Sequence, residues 1–320
     1  MGLALAPGVL PAPVLALAAI AMAALALAGC GLGAGPTPGG VGLLVTRDFG
    51  AGALRVPSAP RVQGSETVMS LLMRNATVQT RYGGGFVESI DGDSGGRSAA
   101  GAPEDWFYYV NGVEAPEGAA QRRVHPGDRI WWDLHDWSQS EGVPAVVGSF
   151  PEPFLHGIEG RRLPVRVECS SPRGGACTRV AHALLALGVP AGVSTIAPSD
   201  EAQTLRVLVG PWATVRDDPA ARSIESGPRA SGVYARLSAD GRTLTLLDPE
   251  GHATRTLTSG AGLIAATRYS GGAPVWVLTG TDAGGVDLAA GAFAEGPLHA
   301  RFAVALMPPS TVLALPRPSP

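Results

Sequence analysis

Between positions 2 and 29 the chain carries no charged side chain and is mostly Ala, Leu, Val and Gly. Such a run must be kept from water, and three arrangements do so. Roughly 20 consecutive apolar residues span a bilayer as a helix. An exported leader uses a shorter apolar stretch that ends in small residues at a cleavage point. The third arrangement is a helix inside the protein. Pro7, Pro11 and Pro13 interrupt any single long helix, because each removes a backbone donor. They leave residues 14–28 as the continuous apolar stretch. No Lys or Arg precedes it, which departs from the usual leader. A leader is the first reading, an uncleaved anchor the second and an internal helix the third.

The run closes on Leu27-Ala28-Gly29-Cys30. Two small residues and then a cysteine resemble the lipobox of bacterial lipoproteins. That resemblance implies a signal peptide over residues 1–30 and lipidation at Cys30. It places the protein on the extracytoplasmic face of the cell membrane. One acyl chain holds a protein only marginally, whereas two or more hold it stably. Residues 31–40, Gly-rich with two prolines, read as a flexible tether.

The 320-residue chain is long enough for two domains of ordinary size. Residues 41–160 hold nine Arg against fifteen acids, and residues 161–320 hold fifteen Arg against twelve acids. This shift predicts a boundary near 160, with domains at 41–160 and 161–308 and a disordered proline-rich tail at 309–320. All 24 basic residues are arginine and the net charge is −3, which argues against nucleic acid as a partner. With Cys30 assigned to lipid, Cys169 and Cys177 remain, flanking a turn-forming segment. A disulfide is the first reading for this pair in an oxidising compartment. A metal site is the alternative, but no His or further Cys lies nearby at zinc spacing.

In the first domain, residues 42–49 read as a strand and a helix starts at Gly64-Ser65-Glu66-Thr67, with Ser65 as cap. Val68, Leu71, Leu72 and Ala76 form its apolar stripe. Strands follow at 78–82, 86–90, 106–110 and 129–134, punctuated by Asp91-Gly92, Asn111-Gly112 and Pro126-Gly127-Asp128. These residues, with Gly83–Gly85 before Phe86, Asp105-Trp-Phe-Tyr-Tyr-Val-Asn-Gly112 and His125-Pro-Gly-Asp-Arg-Ile-Trp-Trp132, resemble the bacterial DUF4430 family. That family is similar to the C-terminal domain of transcobalamin and intrinsic factor. The resemblance implies a small β-grasp-like sheet with one helix, and a cobalamin-like corrinoid as the first ligand to test. The chain has no counterpart of the helical barrel with which transcobalamins grip their ligand.

The candidate ligand-binding residues are Gly84, Phe86, Trp106, Tyr108, Asn111, Trp132, His135 and Trp137. Strand alternation sends about half of Trp106–Tyr109 into the core whatever the function, and puts Trp131 and Trp132 on opposite faces. Asp133, His135, Asp136 and Trp137 form a polar and aromatic cluster that could hold a ligand or metal. Hydrogen bonding alone is the commoner role for such a histidine.

In the second domain, strands at 163–169 and 204–210 are each followed by a helix, at 178–187 and 211–226, the latter broken near Pro219. A hairpin turns at Ala239-Asp240-Gly241. Strands at 261–267 and 275–279, a helix from 281 to 293 capped by Asp282, and a strand at 302–306 complete it. The fold class expected is α+β, with a β-grasp-like domain followed by an α/β or α+β domain.

No nucleophile elbow, Ser-x-x-Lys, His-Glu-x-x-His or paired catalytic carboxylates occur. The sequence reading is therefore a non-catalytic envelope lipoprotein without a resident cofactor or metal. It captures a small molecule, and a transporter or another envelope protein is a candidate partner. A purely structural or protein-binding role, with Trp106, Trp132 and Trp137 on the partner surface, is the alternative.

Overall fold

Alternating apolar residues at positions 42–47 and 129–136 make two strands that become the centre of the first sheet. The computed structural model describes residues 1–2, 40–55, 61–98, 101–197, 202–269 and 271–318. Cys30 and its apolar leader lie outside the described residues. The chain divides into two units, Met1–Gly39 and Gly40–Pro320, and the second is described below. Among the described residues no helix is long and apolar enough to cross a membrane.

The first half runs β1 (Gly42–Arg47), β2 (Gly52–Arg55), α1 (Val68–Asn75), β3 (Val78–Arg81), β4 (Phe86–Ile90), β5 (Asp93–Ser94), β6 (Gly96–Arg97), β7 (Pro103–Val110), β8 (Val113–Glu114) and β9 (Arg129–Asp136). The main sheet has the order β2-β1-β9-β7-β6, with β8 beside β7. Its first and last long strands, β1 and β9, pair in parallel at the centre, while β2 and β7 flank them antiparallel. This is the β-grasp arrangement. α1 covers one face: Val68, Leu71 and Leu72 join Trp106, Tyr108, Ile130, Trp132 and Leu134 in one apolar layer. The helix cap is Thr67 rather than Ser65. Thr67 accepts the Ser70 N–H and donates its own N–H to the Ser70 hydroxyl. Glu66 is drawn inward instead, where Arg74 grips both carboxylate oxygens at 3.0 Å.

The second half adds β10 (Val165–Cys169), α2 (Gly175–Ala186), β11 (Gly192–Thr195), β12 (Leu205–Pro211), β13 (Ala235–Leu237), β14 (Leu244–Leu247), β15 (Ala253–Leu257), β16 (Gly262–Thr267), β17 (Val275–Gly280), α3 (Ala283–Gly291), β18 (Ala303–Met307) and β19 (Thr311–Leu315). Seven strands form a mixed sheet in the order β11-β10-β12-β17-β16-β18-β19. β10, β11, β12 and β17 are parallel, and the rest pair antiparallel. β16 and β17 are buried along their whole length, as expected of a sheet covered on both faces. α2 and α3 cover one face. The three-stranded meander β13-β14-β15 covers part of the other, and the protein is α+β. The disulfide Cys169–Cys177 ties the end of β10 to the start of α2.

Two expectations change. The region 211–226 breaks into short helical turns at Trp212–Val215, Pro219–Arg222 and Ser223–Ser226, because Asp218 restarts the chain by capping Ala220 and Ala221. Thr311–Leu315 is also no disordered tail. It pairs antiparallel with β18 and buries Leu315. Its Thr-Val-Leu-Ala-Leu run satisfies a sheet edge, and the prolines stand on either side of it.

The main sheet's second face packs onto the second half. Phe49, Tyr109 and Trp131 share one core with Leu208, Trp212, Tyr234, Val277 and Phe302. Residues 40–320 therefore have two main sheets and a core that crosses between them.

Candidate functional site

β9 carries Asp133 and His135 on the face turned toward the second half, where they are 0% and 1% exposed. Polar groups so deeply buried must find partners, and these do. The Asp133 carboxylate accepts the Phe49 N–H at 3.0 Å and the Gly50 N–H at 2.9 Å. It also takes a bond from the Thr46 hydroxyl and meets His135 Nδ1 at 2.8 Å. Trp131 Nε1 donates to Thr46 Oγ1 at 2.7 Å. Asp48, Phe49 and Gly50 have φ of 56°, 58° and 84°, so successive N–H groups turn inward and form an anion nest. The His135 ring stacks on Phe107 at 4.5 Å and leans on Phe49 at 4.6 Å, with Phe302 edge-on at 5.2 Å. The Asp133 carboxylate is saturated and the imidazole enclosed, so this network holds structure together and offers no open ligand position.

On the outer side of the same turn lies a cleft of about 730 Å³. Phe49 and Gly50 line it, with Arg47 and Asp48 before them, Glu104 from β7 and Asp136 from the end of β9. The second half contributes Glu250 from the β14–β15 turn, His299 and Arg301 ahead of β18, and Arg317 after β19. Four carboxylates thus share one hollow with three guanidiniums. Burial, followed by the nearby Asp48 carboxylate, raises the Glu104 carboxyl above its ordinary value against the pull of Arg47. Arg47 is partly engaged by Asp48 and Asp93, and Arg301 donates to the Pro297 carbonyl. Asp136 is 6% exposed. Its Oδ1 accepts the Ser138 N–H at 2.7 Å, while Oδ2 has no hydrogen-bond partner.

Residues 65–136 match the family model DUF4430, a domain of unknown function. The DUF4430 segment runs from the approach to α1 to the last residue of β9, so it supplies Glu104 and Asp136 to the cleft. The other charged walls come from outside it. No curated protein matches the chain. Among solved structures, a protein of Ruminococcus gnavus ATCC 29149 described as a "putative metal binding protein" aligns at 13% identity. The alignment covers 31% of this chain and 97% of that one, with a TM-score of 0.25.

None of the eight sequence-predicted residues lines the cleft. Trp106, Tyr108 and Trp132 lie in the apolar layer of the DUF4430 segment beneath α1, and Tyr108 stacks on Trp132 at 4.9 Å. Asn111 is fully buried. Its side chain donates to Asp128 and the Gly157 carbonyl, and accepts the Arg129 N–H, each at 2.8 Å. Asn111 therefore ties a turn down. Gly84 sits in a short helical turn with φ +94° and open space where a Cβ would stand. Phe86 contacts the exposed Tyr82 ring. Trp137 lies beside Asp105 and lines a separate hollow of about 430 Å³ with Glu141 and Arg229. Of the predicted polar cluster, only Asp136 reaches the large cleft. Arg47, Glu104, Glu250, Arg301 and Arg317 carry no shared spacing in sequence. The local signals that bear on them are the Asp48-Phe49-Gly50 and Pro249-Glu250-Gly251 turns.

Proposed function

We propose that this chain is a lipid-anchored, extracytoplasmic binding protein that holds a small zwitterionic molecule in the cleft and performs no chemistry on it. The supporting observation is the convergence of Glu104 and Asp136 with Arg301 and Arg317 around one hollow floored by Phe49. The cleft's volume falls within the roughly 300–1,000 Å³ usual for small-ligand sites. Fixed charges of both signs select a ligand that carries both. A flat corrinoid suits this site less well. Trp106, Tyr108 and Trp132 are buried and present no face to it, and His135 is enclosed.

Full-length protein in detergent, screened by thermal shift against free amino acids, dipeptides and cobalamins, tests this reading. Saturable stabilisation by a zwitterion, lost in Arg317→Ala, supports it. Stabilisation by none of these, or by cobalamin alone, sinks it. The anchor is tested separately by palmitate labelling, which wild type incorporates and Cys30→Ser does not.

A second reading, docking to another envelope protein, draws on Tyr82, which is 87% exposed next to Phe86. It cannot use Trp106 or Trp132, because both are buried.

A further inference from the structure

We propose that Glu104 and Asp136 together seat a primary ammonium group, which makes the ligand a free amino acid or unblocked peptide and not a betaine. This rests on the zwitterion reading above and names the cationic end that the cleft takes. The two residues stand directly opposite each other in the antiparallel β7–β9 ladder, and both line the cleft. Opposed residues of such a ladder share one face, with Cβ atoms about 4.5–5.5 Å apart, and like charges there repel. Burial, then Asp48 and then Asp136 raise the Glu104 carboxyl, against the pulls of Arg47 and His135. Arg47 itself bonds Asp48 and Asp93 instead.

Two neighbouring acids do not by themselves make a site. The second observation is an acceptor left over: Asp136 is 6% exposed and lines the cleft. Its Oδ1 accepts the Ser138 N–H at 2.7 Å, while Oδ2 has no partner among the described residues. A buried carboxylate oxygen without a donor is costly, and a bound group that brings N–H donors and positive charge relieves both the orphan and the repulsion.

A primary ammonium brings three donors on one compact charge. A quaternary ammonium brings none and is held by aromatic cages. The aromatic rings lining this cleft are Phe49, which is 5% exposed, and the His299 imidazole, and these form no cage. Calcium takes about six to eight oxygen ligands, more than two carboxylates supply. For the ligand's carboxylate, Arg317 lines the same cleft with a planar guanidinium suited to paired bonds. Its backbone N–H is anchored on the Leu247 carbonyl at 2.8 Å.

Full-length protein in detergent is titrated calorimetrically with each free L-amino acid and with L-alanyl-L-alanine, then with the N-trimethyl counterpart of every compound that binds. The N-trimethyl form should bind about tenfold or more weakly than the amine. Glu104→Gln and Asp136→Asn should each weaken the amine by about tenfold and narrow that gap. Glu104→Gln also removes the like-charge neighbour, so its unfolding midpoint should not fall below that of wild type, and its loss of binding is no folding defect. Equal affinity for amine and N-trimethyl forms, or a gap unchanged in either variant, overturns this inference and leaves the zwitterion reading standing. Binding of neither form removes that reading and this inference with it.

Discussion

Asp133 accepts the Phe49 backbone N–H at 3.0 Å, and through that bond a buried carboxylate shapes the floor of an open cleft. Phe49 has φ of 58°, a region costly for a bulky side chain, so the turn needs support that its own residues do not supply. The carboxylate provides it from behind, while the Phe49 ring packs on His135 and Tyr234. The DUF4430 sheet and the cleft are thereby coupled.

Asp133→Ala leaves the Phe49 and Gly50 amides buried without an acceptor. Bonds to charged acceptors contribute about 1.5–3 kcal/mol each, and a stability loss of about 3 kcal/mol is expected. Urea unfolding should show a lowered midpoint at an unchanged slope. A loss under about 1 kcal/mol would mean that the nest forms without the carboxylate.

Arg206 is 3% exposed. It grips Glu168 with two bonds of 2.9 and 2.7 Å and Asp218 with one of 2.6 Å. Arg206→Met strands two buried carboxylates and should cost about 3–5 kcal/mol. Arg206→Lys keeps the charge but not the fork, and its unfolding midpoint should fall between those of the other two proteins.

Burial lifts the Glu114 carboxyl from its ordinary 4.5 to about 6, against the smaller pulls of His135 and Arg268. Between those values the folded chain keeps a proton that the unfolded chain has released. Stability therefore falls as pH rises through that window. Glu114→Gln mimics the protonated form. It should exceed wild type by on the order of 2 kcal/mol above pH ~6 and match it below pH ~4. Unfolding midpoints measured from pH ~4 to ~8 check the crossover, and parallel curves would contradict it.

Reduction of Cys169–Cys177 opens a loop with a sequence separation of 8. Loop entropy predicts a loss of about 2.5 kcal/mol. Melting with and without reductant should differ in wild type and coincide in the Cys169→Ala/Cys177→Ala variant.

Gly148 is a close contact between the two halves. A Cβ there would stand 2.5 Å from Arg301 N and 2.6 Å from the Trp131 ring. Gly148→Ala should cost about 1–3 kcal/mol through overpacking. Trp131 fluorescence should shift with it, and an unshifted spectrum at full stability would show that the contact is slack.

Much of the fold is legible in short segments because turn chemistry acts locally. Asn111-Gly112 takes φ of 54° and 77°, as the hairpin pair predicts, and Asp282 caps α3 through the Gly285 N–H. Alternation correctly separates Trp131 from Trp132, yet it cannot say what covers each face. Both are buried, one beneath α1 and the other against Phe302. His135 likewise lies where the two halves meet, under Phe302, a residue far away in the chain. Composition misplaces the last strand, because proline content says nothing about the edge of β18 that Thr311–Leu315 completes.

By itself, then, the order of residues determined most of the elements and the hairpins, the cysteine partnership and the DUF4430 character of residues 65–136. Docking of the two sheets decided the cleft, which gathers charges from positions 47, 104, 136, 250, 301 and 317. Hydrogen bonds and periodicity act over a few residues, whereas a concave site depends on which buried faces meet. Those contacts exist only once distant segments have packed.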